Sequence, residues 1–370
     1  MRIALMVSGF DDGGVERTMT NLASGLATLG AQVDLVCGTP DHPYVKGLTP
    51  AVGLVPLREA NQSMVDYLRS VRPDLMMTGK RVDDRAALAM RRRLGLPTRL
   101  VVTVGTPLSV SVAAKRFNPL RVFRETRRIR ADYRSVDGIA AVSEAVAADL
   151  RHHFGVTEIP LRVLPNPIVP VDLAARAAMP CRHPWLAPGQ PPVILAIGGL
   201  RKVKDFATLL RAFAQLPARF DARLLVLGEG KERPRLAALA DRLGIAARVD
   251  LHGFVDDPFP YLARARLLVL SSRREGLSNV LVEAMALGTS VAATDCPGGV
   301  RGLLDQGRLG PLTPVGDAEA LAASMALLMQ QPTDADALQR AAAPFGVVAA
   351  AGRYHRFFEQ IVAGDAACAE

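Results

Sequence analysis

Residues 3–37, IALMVSGFDDGGVERTMTNLASGLATLGAQVDLVC, decide the fold. An apolar run from Ile3 to Val7 is followed by Gly13-Gly14, an amphipathic stretch from Val15 to Leu29, and a second short run from Gln32 to Cys37. A buried-strand pattern gives way to helical periodicity and then returns, which is the β-α-β unit of a parallel sheet. Working outward, the alternation continues with strands at 75–78, 99–104 and 138–142, helices at 84–94 and 144–154, and a closing run at 162–164. Eight prolines between Pro165 and Pro192 then leave a stretch that cannot propagate a helix or central strand and reads as an interdomain connector. The alternation restarts at 193–197 with Gly198-Gly199 behind it. Helices at 206–216 and 234–243 and strands at 223–227, 249–252, 267–271 and 290–294 follow. The expected fold is α/β, with two doubly wound, Rossmann-like lobes facing a cleft: 1–168, then 169–345, with a C-terminal segment 346–370 whose helix-like piece, 353–362, is able to return to the first lobe.

The chain has 370 residues, 49% of them apolar and 22% charged, which supports two folded domains and excludes global disorder. Lys and Arg number 45 against 36 Asp and Glu, a net charge of +9 that points to a polyanionic partner. Aromatics at 5% weaken a base-stacking, nucleic-acid reading. Cys37, Cys181, Cys296 and Cys368 have neither zinc nor disulfide-framework spacing, which fits a reducing cytosol. The apolar run behind Met1-Arg2 is too short for a signal peptide, and no stretch approaches the ~18 apolar residues of a membrane span, so membrane contact is expected to be peripheral.

Charge is concentrated. From Arg85 to Arg134 there are thirteen Lys or Arg against Glu125 and Asp132, a net of +11, so the rest of the chain sums to −2. The cations interleave with Val110, Val112, Phe117, Leu120, Val122, Phe123 and Ile129. A solvated helix face explains many such runs; the apolar interleaving equally suits an amphipathic segment on an anionic membrane surface.

The segment SSRREGLSNVLVEAMALG, residues 271–288, carries the most chemistry. A strand ends before it, a helix is expected from Ser278 or Asn279, and Gly288 supplies a C-terminal stop. The N–H groups of Leu277, Ser278 and Asn279 then form a phosphate site at a helix start. Glu283 falls in a helix apolar on all sides, where a carboxylate needs partners: a neighbouring Arg, the commoner case for a lone glutamate, or ligand hydroxyls.

Glu275 and Glu283, eight apart, resemble the E-x7-E motif of retaining glycosyltransferases of family 4. The resemblance extends in order over Gly13 to Arg17, Val142-Ser143-Glu144, Leu164 to Pro167, Ile197 to Lys204, Leu227 to Gly230, Leu251 to Phe254 and Asp295 to Gly299. It implies the two-lobed B-type fold, with an acceptor-side first lobe and a nucleotide-sugar-binding second lobe. It also implies transfer of a hexosyl or N-acetylhexosaminyl group, with retention, from a nucleotide diphosphate sugar to a lipid-linked or cell-surface glycan, as in bacterial polysaccharide and lipopolysaccharide biosynthesis. Carried over by motif, Glu275 holds the transferred sugar, Lys204 neutralises the leaving diphosphate, Glu283 holds the ribose, and Leu277, Ser278 and Asn279 take the diphosphate. Gly13 and Gly14 allow close approach of donor and acceptor, and Gly253 and Phe254 lie beside the nucleobase, with His252 a candidate neighbour.

Two departures stand out. The family pattern usually has Arg five residues before the Lys, where this chain has Gly199, so neutralisation of the diphosphate loses one cation unless Arg201 or Lys202 reaches in. The family's His after the fourth first-lobe strand is replaced within Thr103-Val104-Gly105-Thr106. His152, His153 and, unless it neighbours the nucleobase, His252 read as ordinary polar or structural residues. Asp334-Ala335-Asp336 reads as the acidic first turn of a helix rather than a metal motif. No metal, no cofactor beyond the donor substrate and no nucleic-acid partner is expected, and no nucleotide P-loop or dinucleotide fingerprint is present. The expected location is cytoplasmic, peripheral on the inner face of the cytoplasmic membrane. A sugar-nucleotide epimerase, an oxidoreductase with similar lobes and a non-catalytic two-lobed binding protein remain as alternatives.

Overall fold

The computed structural model describes residues 1–9, 14–57, 62–113 and 118–364. Gly13, Lys115, Arg116, Phe117 and Cys368 lie outside the described residues. Two compact units emerge: Met1–Ile168 together with the segment from Phe345 onward, and Val169–Pro344.

In the first unit, β1 (Arg2–Val7), β2 (Gln32–Cys37), β3 (Val52–Pro56), β4 (Leu75–Thr78), β5 (Arg99–Val104), β6 (Gly138–Ala141) and β7 (Leu161–Val163) form one sheet ordered β3-β2-β1-β4-β5-β6-β7. Every pairing is parallel. In the second, β8 (Val193–Ile197), β9 (Arg223–Leu227), β10 (Val249–Gly253), β11 (Leu267–Leu270), β12 (Ser290–Thr294) and β13 (Leu312–Thr313) run β10-β9-β8-β11-β12-β13, again all parallel. Both are doubly wound Rossmann-like sheets, and their order reverses between β1 and β4 and between β8 and β11. Open α/β sheets bind ligands at such reversals, beyond the carboxyl ends of the strands.

Helix Gly14–Thr28 buries Met19, Leu22, Ala23 and Leu26, one stripe at helical spacing, against β1 and β2. Helix Val347–Ala363 adds Tyr354, Phe357, Phe358 and Ile361 to the same core, each large side chain contributing about 1.5–3 kcal/mol by its burial. It begins six residues before the expected 353–362. The two helices approach so closely at Gly25 that a Cβ there would fall 2.7 Å from that of Ala351.

The connector is a correction. Helix Leu173–Ala178 forms in the proline-free gap between Pro170 and Pro180, because six residues suffice for one short helix once proline is absent. Farther along it, His183 Nδ1 accepts the Trp185 N–H at 3.2 Å, which leaves the Nε2 proton for Asp250 Oδ2 at 2.9 Å. That hydrogen bond joins the connector to edge strand β10.

Candidate active site

The strand reversal in the second unit brings two loops together. β8 ends at Ile197, and Gly198 and Gly199 follow without side chains. The Lys204 side chain lies over Gly198, where an added Cβ would sit 3.2 Å from Lys204 Cε. Arg201 lies over Gly199 in the same way, with Nε 3.3 Å from a Cβ built there. Two cations are therefore stacked on consecutive glycines at the end of the central strand. Gly228 closes in from β9; any Cβ on it would approach Gly198 O to 2.2 Å.

The loop after β11 supplies the carboxylate. Lys204 Nζ is 2.6 Å from Glu275 Oε1, and Ser272 Oγ donates to the same oxygen at 2.7 Å. The two charged side chains are 25% and 13% exposed, so the pair is shielded but open to a ligand. Glu275 and Lys204, singled out separately in the sequence, thus form one ion pair. A backbone bridge fixes the glutamate: its N–H donates to Pro297 O at 3.1 Å, and Gly299 N–H donates to Gly276 O at 2.7 Å. Gly298 is indispensable to this bridge, because with φ of +129° an added Cβ would overlap Glu275 O. Burial, with the Glu275 charge beside it, pushes the Cys296 thiol up to about 12, so this cysteine stays neutral.

Helix Asn279–Ala286 starts after Ser278, whose buried hydroxyl makes no cap and has no hydrogen-bond partner. Leu277, Ser278 and Asn279 occupy the turn at its N-terminus, where N–H groups and the helix dipole favour an anion. Glu283 is buried in the helix, 3% exposed. Gly253 and Phe254 lie at the end of β10, two strands from β8 and so about 10 Å across the sheet. Phe254 is 43% exposed, and Gly253 passes close to Glu229, which is bound by Arg233. Glu275, Lys204, Gly199 and Arg201 are thus grouped tightly, and Gly253 and Phe254 stand farther along the same sheet.

In the first unit, Gly14 opens helix Gly14–Thr28 beyond β1. Lys80, after β4, reaches across the strand reversal to Gly9 O at 2.7 Å and to Glu16 Oε1 at 2.6 Å. Asp83 takes the Ser8 N–H at 3.2 Å, and its burial raises its pKa. Lys80, Asp83 and Asp205 escaped the sequence reading, whereas Glu16 fell inside the Gly13 to Arg17 match and Ser271, Ser272 and Arg273 inside the 271–288 segment without being given roles. Asp205 carried a local signal, an Asp directly before a helix.

Among the described residues, His183, Asp250 and His252 could offer three metal-ligating atoms within 4.8 Å of one another. The Trp185 N–H at His183 Nδ1 places the imidazole proton on Nε2, so a metal there would have to displace that proton and break the contact. The group is read as a polar strut between connector and sheet. His252 belongs to it through Asp250 at 3.4 Å.

Comparison with known proteins agrees with this geometry. Residues 12–171 match the model described as Glycosyltransferase Family 4, and residues 191–331 match that of Glycosyl transferases group 1. One relative, the N-acetylgalactosamine-N,N'-diacetylbacillosaminyl-diphospho-undecaprenol 4-alpha-N-acetylgalactosaminyltransferase of Campylobacter jejuni, is 31% identical over 63% of this chain and 60% of its own. Lipopolysaccharide core biosynthesis glycosyltransferase LpsE of Rhizobium meliloti is 38% identical over 36% of this chain and 38% of its own. The chain therefore spans less than two thirds of either relative. Over nearly its whole length it shares a fold with Anabaena HepE in complex with UDP and glucose (TM-score 0.80, 19% identity, 97% of this chain and 100% of that one). Sucrose-phosphate synthase from Thermosynechococcus elongatus is similar (TM-score 0.79, 22% identity, 99% and 100%). With two Rossmann-like sheets and two glycosyltransferase models matched in succession, the chain belongs to the family 4 glycosyltransferases.

Proposed function

We propose that the protein is a retaining glycosyltransferase that moves a hexosyl or N-acetylhexosaminyl group from a nucleotide diphosphate sugar to a lipid-linked or cell-surface glycan. The observation that carries this reading is the Lys204–Glu275 pair at the strand reversal of the second sheet, beside the start of helix Asn279–Ala286. As the bond from the anomeric carbon to the diphosphate breaks, negative charge develops on the leaving oxygen. Lys204 neutralises it, and Arg201, stacked on Gly199, supplies the second cation. The N–H groups of Leu277, Ser278 and Asn279 cradle the phosphates, and Glu283 takes the ribose hydroxyls. Glu275 Oε1 is occupied by Lys204 and Ser272, so Oε2 is left to orient the sugar. Gly253 and Phe254 border the base. By the family resemblance alone, Gly14 and Gly13, the latter outside the described residues, are assigned to close approach of donor and acceptor. This donor set needs no metal and no cofactor.

The second element of the proposal is an anionic membrane surface as the acceptor's platform, met peripherally from the cytoplasm. Among the described residues no helix is long and apolar enough to cross a membrane. Helix Pro119–Tyr133 sorts its charges by face. Glu125 pairs with Arg81 and Arg85, and Asp132 with Arg85, so both acids turn toward the neighbouring helix Arg81–Leu94. Arg121, Arg124, Arg127 and Arg128 are exposed alongside Leu120 at 58% and Phe123 at 62%. An apolar ridge flanked by cations suits anionic lipid, each cation contributing about 1 kcal/mol near the surface.

A thermal-shift screen against UDP, GDP and ADP tests the donor, since a ligand of the native state raises apparent stability. Hydrolysis of the matching nucleotide sugars without acceptor tests the chemistry. No shift with any of the three, or isomerised donor with no released sugar, refutes the reading. For the membrane, binding to vesicles should rise with phosphatidylserine content and fall steeply with salt. Salt-insensitive binding, or preference for RNA over vesicles, refutes it.

A further inference from the structure

Lys204 is clamped at three successive residues by the loop that carries Glu275. Arg273 N–H donates to Val203 O at 2.8 Å, Ser271 Oγ donates to Lys204 O at 2.8 Å, and Arg273 Nε stands 3.0 Å from Asp205 Oδ2. Asp205 is the unusual member. It adopts φ of +47° and ψ of +43°, a left-handed conformation that most side chains avoid and that Asp tolerates better than others. It stands at the start of helix Phe206–Ala214, where an aspartate ordinarily caps helix N–H groups, yet its carboxylate makes no such cap. That carboxylate is instead buried and shared between Arg273 and the Thr208 hydroxyl at 3.0 Å. A strained residue whose usual task is given up in favour of a link to another loop is explained by what the link holds. The link lies immediately beside Lys204.

We propose that Asp205 and Arg273 are positioning residues. Their ion pair sets the backbone of Lys204 so that its ammonium meets the leaving diphosphate, and it keeps the Lys204 and Glu275 loops in mutual register. Lysine is a point charge on a flexible stem, so its contribution to a transition state depends on how well its backbone is fixed. This inference rests on the reading of Lys204 given above.

The test measures kcat, donor KM and melting temperature for hydrolysis of whichever of UDP-glucose, GDP-mannose and ADP-glucose is turned over fastest. Asp205→Asn keeps the left-handed turn and an acceptor for Thr208 but removes the charge facing Arg273. Asp205→Gly relieves the strained φ and so preserves folding while also removing the link. Both are expected to lower kcat about tenfold with donor KM within about twofold and an unchanged melting temperature. Arg273→Met should do the same, and Arg273→Lys should recover most of the loss. In a Lys204→Ala background, Asp205→Asn should cost nothing further, because the two act as a unit. Wild-type kcat in both Asp205 variants, or an equal loss on the Lys204→Ala background, overturns the positioning role alone. Full kcat in Lys204→Ala overturns the leaving-group reading and this inference with it.

Discussion

Replacing Glu275 with Gln is expected to tighten the binding of free nucleotide diphosphate while suppressing transfer. In the ligand-free protein Lys204 is already neutralised by a carboxylate 2.6 Å away, so an incoming diphosphate must share that ammonium and tolerate the glutamate's charge. Exposed ion pairs are worth about 0.2–1 kcal/mol, whereas breaking a fully buried one costs about 3–5. With side chains 25% and 13% exposed, this pair falls between, at about 1–2 kcal/mol. At 1.4 kcal/mol per tenfold, Kd for the diphosphate should fall about 5- to 30-fold. Gln has the shape of Glu, so Ser272 keeps an acceptor, while the neutral amide is a weaker partner for sugar hydroxyls and kcat drops. Calorimetry at 0.15 M and 1 M salt gives the check. The advantage of the variant should shrink at the higher salt, where screening shortens to about 3 Å. It should vanish in a Lys204→Met background. An unchanged or weakened Kd in Glu275→Gln refutes the idea that the two side chains compete for one charge.

Glu283→Gln should weaken UDP, GDP or ADP binding by about tenfold, since an amide accepts less well than a carboxylate from two ribose hydroxyls; calorimetry on the preferred nucleotide decides it. Gly298→Ala should abolish turnover and lower the melting temperature by several degrees, because its Cβ cannot coexist with Glu275 O and the backbone bridge must open. In the first unit, burial pushes the Asp84 carboxyl up to about 7, against about 3.9 in an unfolded chain. The native state then holds the extra proton, so this group's contribution is fully present below about pH 4 and is lost as pH rises to about 7. Asp84→Asn, which keeps an acceptor for Thr78 Oγ1, should stabilise the protein at pH 8 by up to about 4 kcal/mol and flatten the slope of melting temperature between pH 4 and 7. Parallel pH curves for the two proteins would contradict this.

What the sequence disclosed followed local pattern. The β-α-β alternation, the helix start after Ser278 and the Gly288 stop were readable because periodicity, capping and turn chemistry are properties of neighbouring residues. β3 was invisible: it contains Gly53 and Pro56, lies at a sheet edge, and buries only part of its length, so neither alternation nor an apolar run marks it. β13 has two residues. At the candidate site, motif spacing singled out Glu275 and Lys204, but their contact spans 71 positions and depends on the β8–β11 strand neighbourhood. Arg201 lies over Gly199, a placement that spacing could not disclose. Asp205 stands directly before helix Phe206–Ala214, and its engagement with Arg273 instead of the helix N–H groups is a contact between distant loops that local pattern does not disclose.

The helix Val347–Ala363, the last described element, also imposes an order on synthesis at the ribosome. Residues 1–168 emerge first, but without Tyr354, Phe357, Phe358 and Ile361 their core is incomplete. Translation at about 5–20 residues per second delivers those side chains on the order of ten to forty seconds later. The second unit needs nothing beyond Pro344, so its last residue is made shortly before those side chains are. Until then the nascent chain carries an apolar groove along helix Gly14–Thr28, which makes it a client for chaperones. A premature stop after residue 344 would release a sound second unit tethered to a first unit that sticks to its neighbours.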